Sequence, residues 1–236
     1  MDRVQSHIPT EVYLEFLGRT IEINWNYHAI LMTGIWLILV PICIVWLRYF
    51  KPEPRPHGIR DQIKILSRDW VWFNAHKYGL YLAVVLSLGG LLVAVTVSQG
   101  ISWTMHSIFG LATIVLGCFL ALSALLRGTH GGRYYYNADP DDPSTWKGDH
   151  YEMTPRRRWF EAFHKTAGYL ACFFAFGAVG SGLMQYPMPA LLGVVLATIL
   201  VLFVLCIRLE FKGRAYDNYL SCFGTDPDNP GNLKPE

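Results

Sequence analysis

Five apolar runs punctuate the chain, at about 26–49, 71–98, 103–126, 160–184 and 188–210, and the segments between them hold most of the charge. Each run is long enough to cross a hydrocarbon layer of roughly 30 Å, which takes about 20 mostly apolar residues in a helix. The pattern predicts an all-α membrane protein with five transmembrane helices. It divides the chain into an N-terminal extracytoplasmic arm over 1–25, a membrane domain over 26–210 and a cytoplasmic tail over 211–236. Composition agrees, since 52% of the 236 residues are hydrophobic, 14% aromatic and only 16% charged, the profile of an integral membrane protein. Little remains for a soluble domain. The opening MDRVQSHIPTEVYLEFLGRT lacks the basic start, short apolar centre and small-residue cleavage site of a signal peptide, so the first span is expected to be kept.

Lys and Arg set the expected orientation, because cytoplasmic loops are enriched in both. Arg48, Lys51, Arg55, Arg60, Lys64 and Arg68 fall between spans one and two, and Arg127, Arg133, Lys147, Arg156, Arg157 and Arg158 between three and four. The turns after spans two and four carry none. Arg208, Lys212 and Arg214 follow the last span, whereas the N-terminal arm has only Arg3 and Arg19. The count predicts the N-terminus outside and the C-terminus in the cytoplasm, in the inner membrane if the chain is bacterial. The connection from Gly128 to Arg158 is rich in Pro, Gly and Asp and reads as a surface loop, with a docking role and an idle solvated role both open.

Cys43, Cys118, Cys172 and Cys206 lie in the apolar runs, where they read as small buried hydrophobes rather than a disulfide framework. No C-x-x-C-H occurs, which argues against covalent haem attachment. Of the eight histidines, His7, His57, His130 and His150 fall in polar segments. The other four, His28, His76, His106 and His164, each open one of the first four spans. Successive helices run in opposite directions, so His28 can face His106 on the outer side and His76 can face His164 on the inner side. One histidine near a helix end is more often interfacial than a ligand. Four at matching depth, one per helix, are what two six-coordinate haems need, with an imidazole nitrogen on each face of each iron. A single zinc would require four ligands at one point, and these pairs are roughly 20 Å or more apart on helical rise.

Gly79, Gly110 and Gly168 lie three or four residues beyond His76, His106 and His164, on the same helix face. They would let a porphyrin edge approach the backbone, although small residues also serve plain helix packing. Span one departs from the pattern, its Gly34 being six residues beyond His28. Lys77 and Lys165 follow the two inner histidines, where haem propionates would emerge. Snorkelling to lipid headgroups explains each lysine equally well.

With these residues placed, the chain resembles the cytochrome b561 superfamily, in particular the five-helix domain found joined to DOMON domains. The likeness rests on HAILMTGIWLILVPICIVWLRYFK from His28, HKYGLYLAVV from His76, HSIFGLATIVLG from His106 and RRRWFEAFHKTAGY from Arg156, and covers about residues 25–210. The resemblance implies a di-haem b-type cytochrome with two haem b groups in a bundle of the first four helices. It implies the ligand pairs His28–His106 and His76–His164, and single-electron transfer across or within the membrane. Two features depart from the family. The 25 residues before span one are too few for a DOMON domain, so the donor or acceptor is expected to be a separate protein or a quinone- or ascorbate-like small molecule. The 128–158 loop is also longer than usual. Membrane lipid is the expected surrounding, no nucleic-acid partner is expected, and a homo-oligomer or a place in a larger complex stays open. Two competing readings are a quinone-reactive cytochrome b anchor for a dehydrogenase or reductase, and a haem-free scaffold. Whether the chain is an enzyme or an electron carrier is not decided by sequence, nor is the direction of electron flow.

Overall fold

A computed structural model describes residues 9–59, 70–127, 137–146, 153–228 and 232. His7, His130 and His150, the basic residues Arg60, Lys64, Arg68, Arg133 and Lys147, and parts of the 128–158 connection lie outside this set. Five helices are long and apolar enough to cross a membrane: Trp25–Tyr49, Val71–Val97, Met105–Leu125, Pro155–Gln185 and Pro189–Phe211. The first comprises α1 (Trp25–Thr33), a π-helical segment (Gly34–Leu39) and α2 (Val40–Tyr49); the other four are α3, α4, α5 and α6 in chain order. The fourth span starts earlier than its apolar run, because Thr154 caps the helix, its Oγ1 accepting from Arg157 N at 3.3 Å, and Pro155 suits the first turn.

The π segment has a local cause. Pro41 has no N–H to donate and its ring would crowd the carbonyl four residues back. The chain takes an i→i+5 pattern just ahead of it, with Val40 N bonded to Ile35 O, the usual form of a π insertion in a helix.

In hydrocarbon, apolar burial does not drive helices together, and small residues that let backbones approach take over. Helix α5 buries Ala167, Ala171, Ala175 and Ala178, spaced by four, four and three residues, and makes its most extensive contacts with α4. The buried core joins Ala171 and Ala175 to Ile35, Trp36, Val40 and Ala83. At its centre Trp36 Nε1 donates to Ser87 Oγ at 3.0 Å, and Ser87 Oγ donates to Ala83 O at 2.7 Å. Gly117 makes room for the same indole: a Cβ there would lie 3.4 Å from the Trp36 ring. Helix α6 is peripheral, with Val195 its one buried residue.

Both ends hold structure beyond the all-helical expectation. The N-terminal arm forms an antiparallel hairpin, β1 (Glu11–Leu14) and β2 (Arg19–Glu22), in register Val12↔Ile21, turned at Gly18 with φ 61°. Trp25 Nε1 donates to Pro9 O at 2.7 Å and ties the arm to the first span. At the other end the tail is folded back rather than free. Arg48 and Tyr49 donate to Glu210 Oε1. The buried Lys51 Nζ donates to Asn218 Oδ1 at 2.5 Å and to Tyr216 O. Short α7 (Asn218–Phe223) then lies along residues 52–59, with Ser221 Oγ donating to Pro52 O at 2.9 Å, Ile59 N to Cys222 O at 2.9 Å and Thr225 N to Arg55 O at 3.0 Å. Gly224, at φ 95°, is required here because a Cβ would collide with the backbone of Pro56 and Gly58. Burial pushes the Lys51 ammonium below its ordinary value and the Cys222 thiol up to about 11.

Candidate histidine ligand site

Each of the four histidines sits in the opening turns of its helix and is half-buried: His28 on α1, His76 on α3, His106 on α4 and His164 on α5. His28 and His106 meet edge to face, their ring centroids 6.2 Å apart at 76°. An imidazole nitrogen binds a metal at about 2.0–2.1 Å, so two rings sharing one metal on opposite sides would have centroids roughly 6 Å apart. His76 and His164 lie near the starts of α3 and α5, each ring held by a neighbouring span. Among the described residues no three or more His, Cys, Asp or Glu side chains converge on a metal-sized site.

The second nitrogen of each ring is more informative. His106 Nδ1 lies 2.8 Å from Ala178 O and His76 Nδ1 lies 3.3 Å from Cys43 O; a carbonyl only accepts, so both Nδ1 atoms carry the proton. His164 Nδ1 lies 3.2 Å from Ser123 Oγ, whose own hydrogen goes to Leu120 O at 2.9 Å. That hydroxyl therefore accepts from the imidazole. In three of the four rings Nδ1 is the nitrogen that donates to a neighbour, which leaves Nε2 as the nitrogen that could bind a metal, the arrangement that outer partners impose on metal-binding histidines. His28 is braced by Trp25, ring centroids 5.7 Å apart. The residues present fit a bis-imidazole iron.

Glycine helps in part as expected. Nothing lies within 4 Å of a Cβ added at Gly110 or Gly168, so both leave open space beside α4 and α5, whereas the space at Gly79 is filled by Cys43 Sγ. Gly182, which the sequence reading passed over, lies against one of the four histidines: a Cβ there would lie 2.8 Å from His106 Nδ1. Lys77 and Lys165 are exposed. Lys77 Nζ sits 5.0 Å from the Tyr78 ring centre, and Lys165 Nζ bonds Glu161 Oε2 at 3.2 Å. Near His164 the guanidinium of Arg157 lies 5.3 Å from the Phe160 ring, itself 5.0 Å from the His164 ring. Arg157 bridges to Glu161 at 3.2 Å and is 8% exposed. This arginine was visible in sequence, but only as a member of a cytoplasmic charge count.

No family model matches the chain, and neither a curated protein nor a solved structure is found to be similar.

Proposed function

We propose that the chain is a di-haem b-type cytochrome whose first four spans form the haem-bearing bundle, and that it passes single electrons across or within the membrane between a separate reductant and acceptor. His28 with His106 would hold one haem b, and His76 with His164 the other. The observation that carries this reading is the fixed tautomer of His76, His106 and His164, each with Nδ1 spent on an acceptor and Nε2 left to ligate. An interfacial or scaffolding histidine has no need of that uniformity. When bound, the haem iron supplies a one-electron couple. The chain's part would be to supply two imidazoles to each iron, which would restrict the site to electron transfer. The helices exclude water from the couple, and the Lys and Arg distribution orients it with the N-terminus outside.

Spectroscopy of purified protein tests this directly. Pyridine haemochrome analysis should give two b haems per chain. Replacing His28 or His106 by Leu should perturb one spectral component, and replacing His76 or His164 the other. Absence of haem, or matching losses in His28→Leu and His76→Leu, would refute the reading. Reduction by a quinol but not by ascorbate would move the protein to the quinone-reactive anchor class.

A further inference from the structure

One turn from the His76–His164 pair, toward the Arg127 end, hydrogen-bond donors gather without acceptors. Trp72 lies four residues before His76 on α3 and is 4% exposed, yet its buried Nε1 has no partner among the described residues, and neither has the buried Nε1 of Trp70. Nearly all buried polar groups in proteins are paired, so two orphaned donors side by side call for an explanation. The two indoles stack with centroids 6.3 Å apart at 19°, and they lean on Phe73 at 6.3 and 5.8 Å. Over the same Phe73 ring, at 4.7 Å, lies the guanidinium of Arg127, four residues past the Ser123 that holds His164. Arg127 forms no ion pair with any described residue. From α5, Arg157 lies 5.3 Å from the Phe160 ring, which is itself 5.0 Å from the His164 ring. Among the described residues the acid of this neighbourhood is Glu161, and it already serves both Arg157 and Lys165. The region is thus rich in donors and net positive; burial, followed by the like charge of Arg157, pushes Arg127 below its ordinary value.

We infer that Trp70, Trp72 and Arg127, with Arg157 alongside, form a carboxylate-binding site, and that its ligands are the propionates of the group held by His76 and His164. The inference rests on the haem reading above. An indole N–H and a guanidinium fork match the oxygens of a carboxylate, and charge assistance makes such bonds strong. A neutral quinone oxygen would leave the Arg127 charge uncompensated. A lipid phosphate shares the required chemistry, so the experiment has to separate the two sources.

The test is a spectroelectrochemical titration of purified holoprotein, comparing wild type with Arg127→Gln, Arg127→Lys and Trp72→Phe. Removing a cation favours the oxidised, more positive iron. At fixed ambient potential Arg127→Gln should therefore lower the reduced-to-oxidised ratio of the His76–His164 component about tenfold, or 59 mV for one electron. Trp72→Phe keeps the ring and removes only the donor, and should lower the ratio about threefold. Arg127→Lys should fall between wild type and Arg127→Gln, and the His28–His106 component should stay where it is in all three. The same chains produced in haem-deficient membranes and loaded with haem dimethyl ester, which has no propionate charge, should lose the Trp72→Phe difference, because a neutral donor acts on the iron only through the carboxylate it binds. A Trp72→Phe shift that persists undiminished with the ester, or shifts that follow added anionic phospholipid, would assign the site to a lipid phosphate and overturn the inference. So would two intact haem components with no shift in Arg127→Gln and Trp72→Phe. A wild-type protein without haem overturns the haem reading first, and that result is seen before any variant is compared.

Discussion

Gly182→Ala should remove or perturb one haem component and spare the other. The added Cβ would lie 2.8 Å from His106 Nδ1 and 3.1 Å from its Cε1, where ordinary contact begins near 3.4 Å. The ring must retreat by about 0.6 Å, and the overpacking should cost about 1–3 kcal/mol. It cannot retreat freely, because the same Nδ1 is held at 2.8 Å by Ala178 O, one turn earlier on α5. A ligating side chain has to be placed within about 0.5 Å to work, so the required displacement is enough to spoil the His28–His106 pair. Haem content and low-temperature reduced-minus-oxidised spectra measure the result: one component lost or shifted, the component assigned to His76 and His164 unchanged. Gly180→Ala is the control on the same helix, since nothing lies within 4 Å of its added Cβ. Equal loss of both components in Gly182→Ala, or no spectral change with both haems present, would refute the placement of His106 against α5.

Ser123→Ala removes the acceptor that fixes His164, and loss of such a second partner weakens a metal's hold by about 10–100-fold; haem retention during detergent washing should fall for the His76–His164 component alone. Trp36→Phe strands the central hydrogen bond to Ser87 and should destabilise the fold by about 1–3 kcal/mol, read as a lower melting temperature with both spectral components intact. Cys222 titrates at about 11 in the folded chain against 9.0 ordinarily, so between those values the folded state binds more protons than the unfolded one. Stability present below pH 9 should drain away as pH rises to about 11, by at most about 2.7 kcal/mol. Lys51, held low by burial, opposes this below its ordinary 10.5. Limited proteolysis after Lys212 and Arg214 across this pH range, compared with Cys222→Ser, isolates the thiol: a slope retained in the serine variant would contradict the assignment.

The five spans were legible because length and apolarity alone decide them, and each observed boundary except the start of α5 falls within two residues of the run that announced it. The position of each of the four histidines near the start of its helix was legible for a related reason, since one residue per helix is a one-dimensional pattern. What places them was not. The partners of His76, His106 and His164 are two main-chain carbonyls and a serine 41 residues away, and a carbonyl has no letter in the sequence. Gly182 is 76 residues from the histidine it accommodates. Lys77 and Lys165 drew attention by adjacency to histidine, yet successive residues on a helix point about 100° apart, and the lysines turn outward while Arg127 and Arg157 approach from the helix ends. The hairpin escaped because four-residue strands carry too little alternation, and the folded tail because its contacts reach back some 160 residues.

The π-helical stretch before Pro41 gives the first span a phase adjustment along its length. His28 must meet His106 near one end of this span, and the Cys43 carbonyl must meet His76 toward the other, so a single helix serves both pairs. Deleting one residue between Gly34 and Leu39 would turn everything beyond it by about 100°, carrying Cys43 off His76 and Arg48 off Glu210 while leaving His28 in place. The length of this stretch is therefore fixed apart from what its side chains pack against; the spacing between its two halves is what keeps the two ends in register.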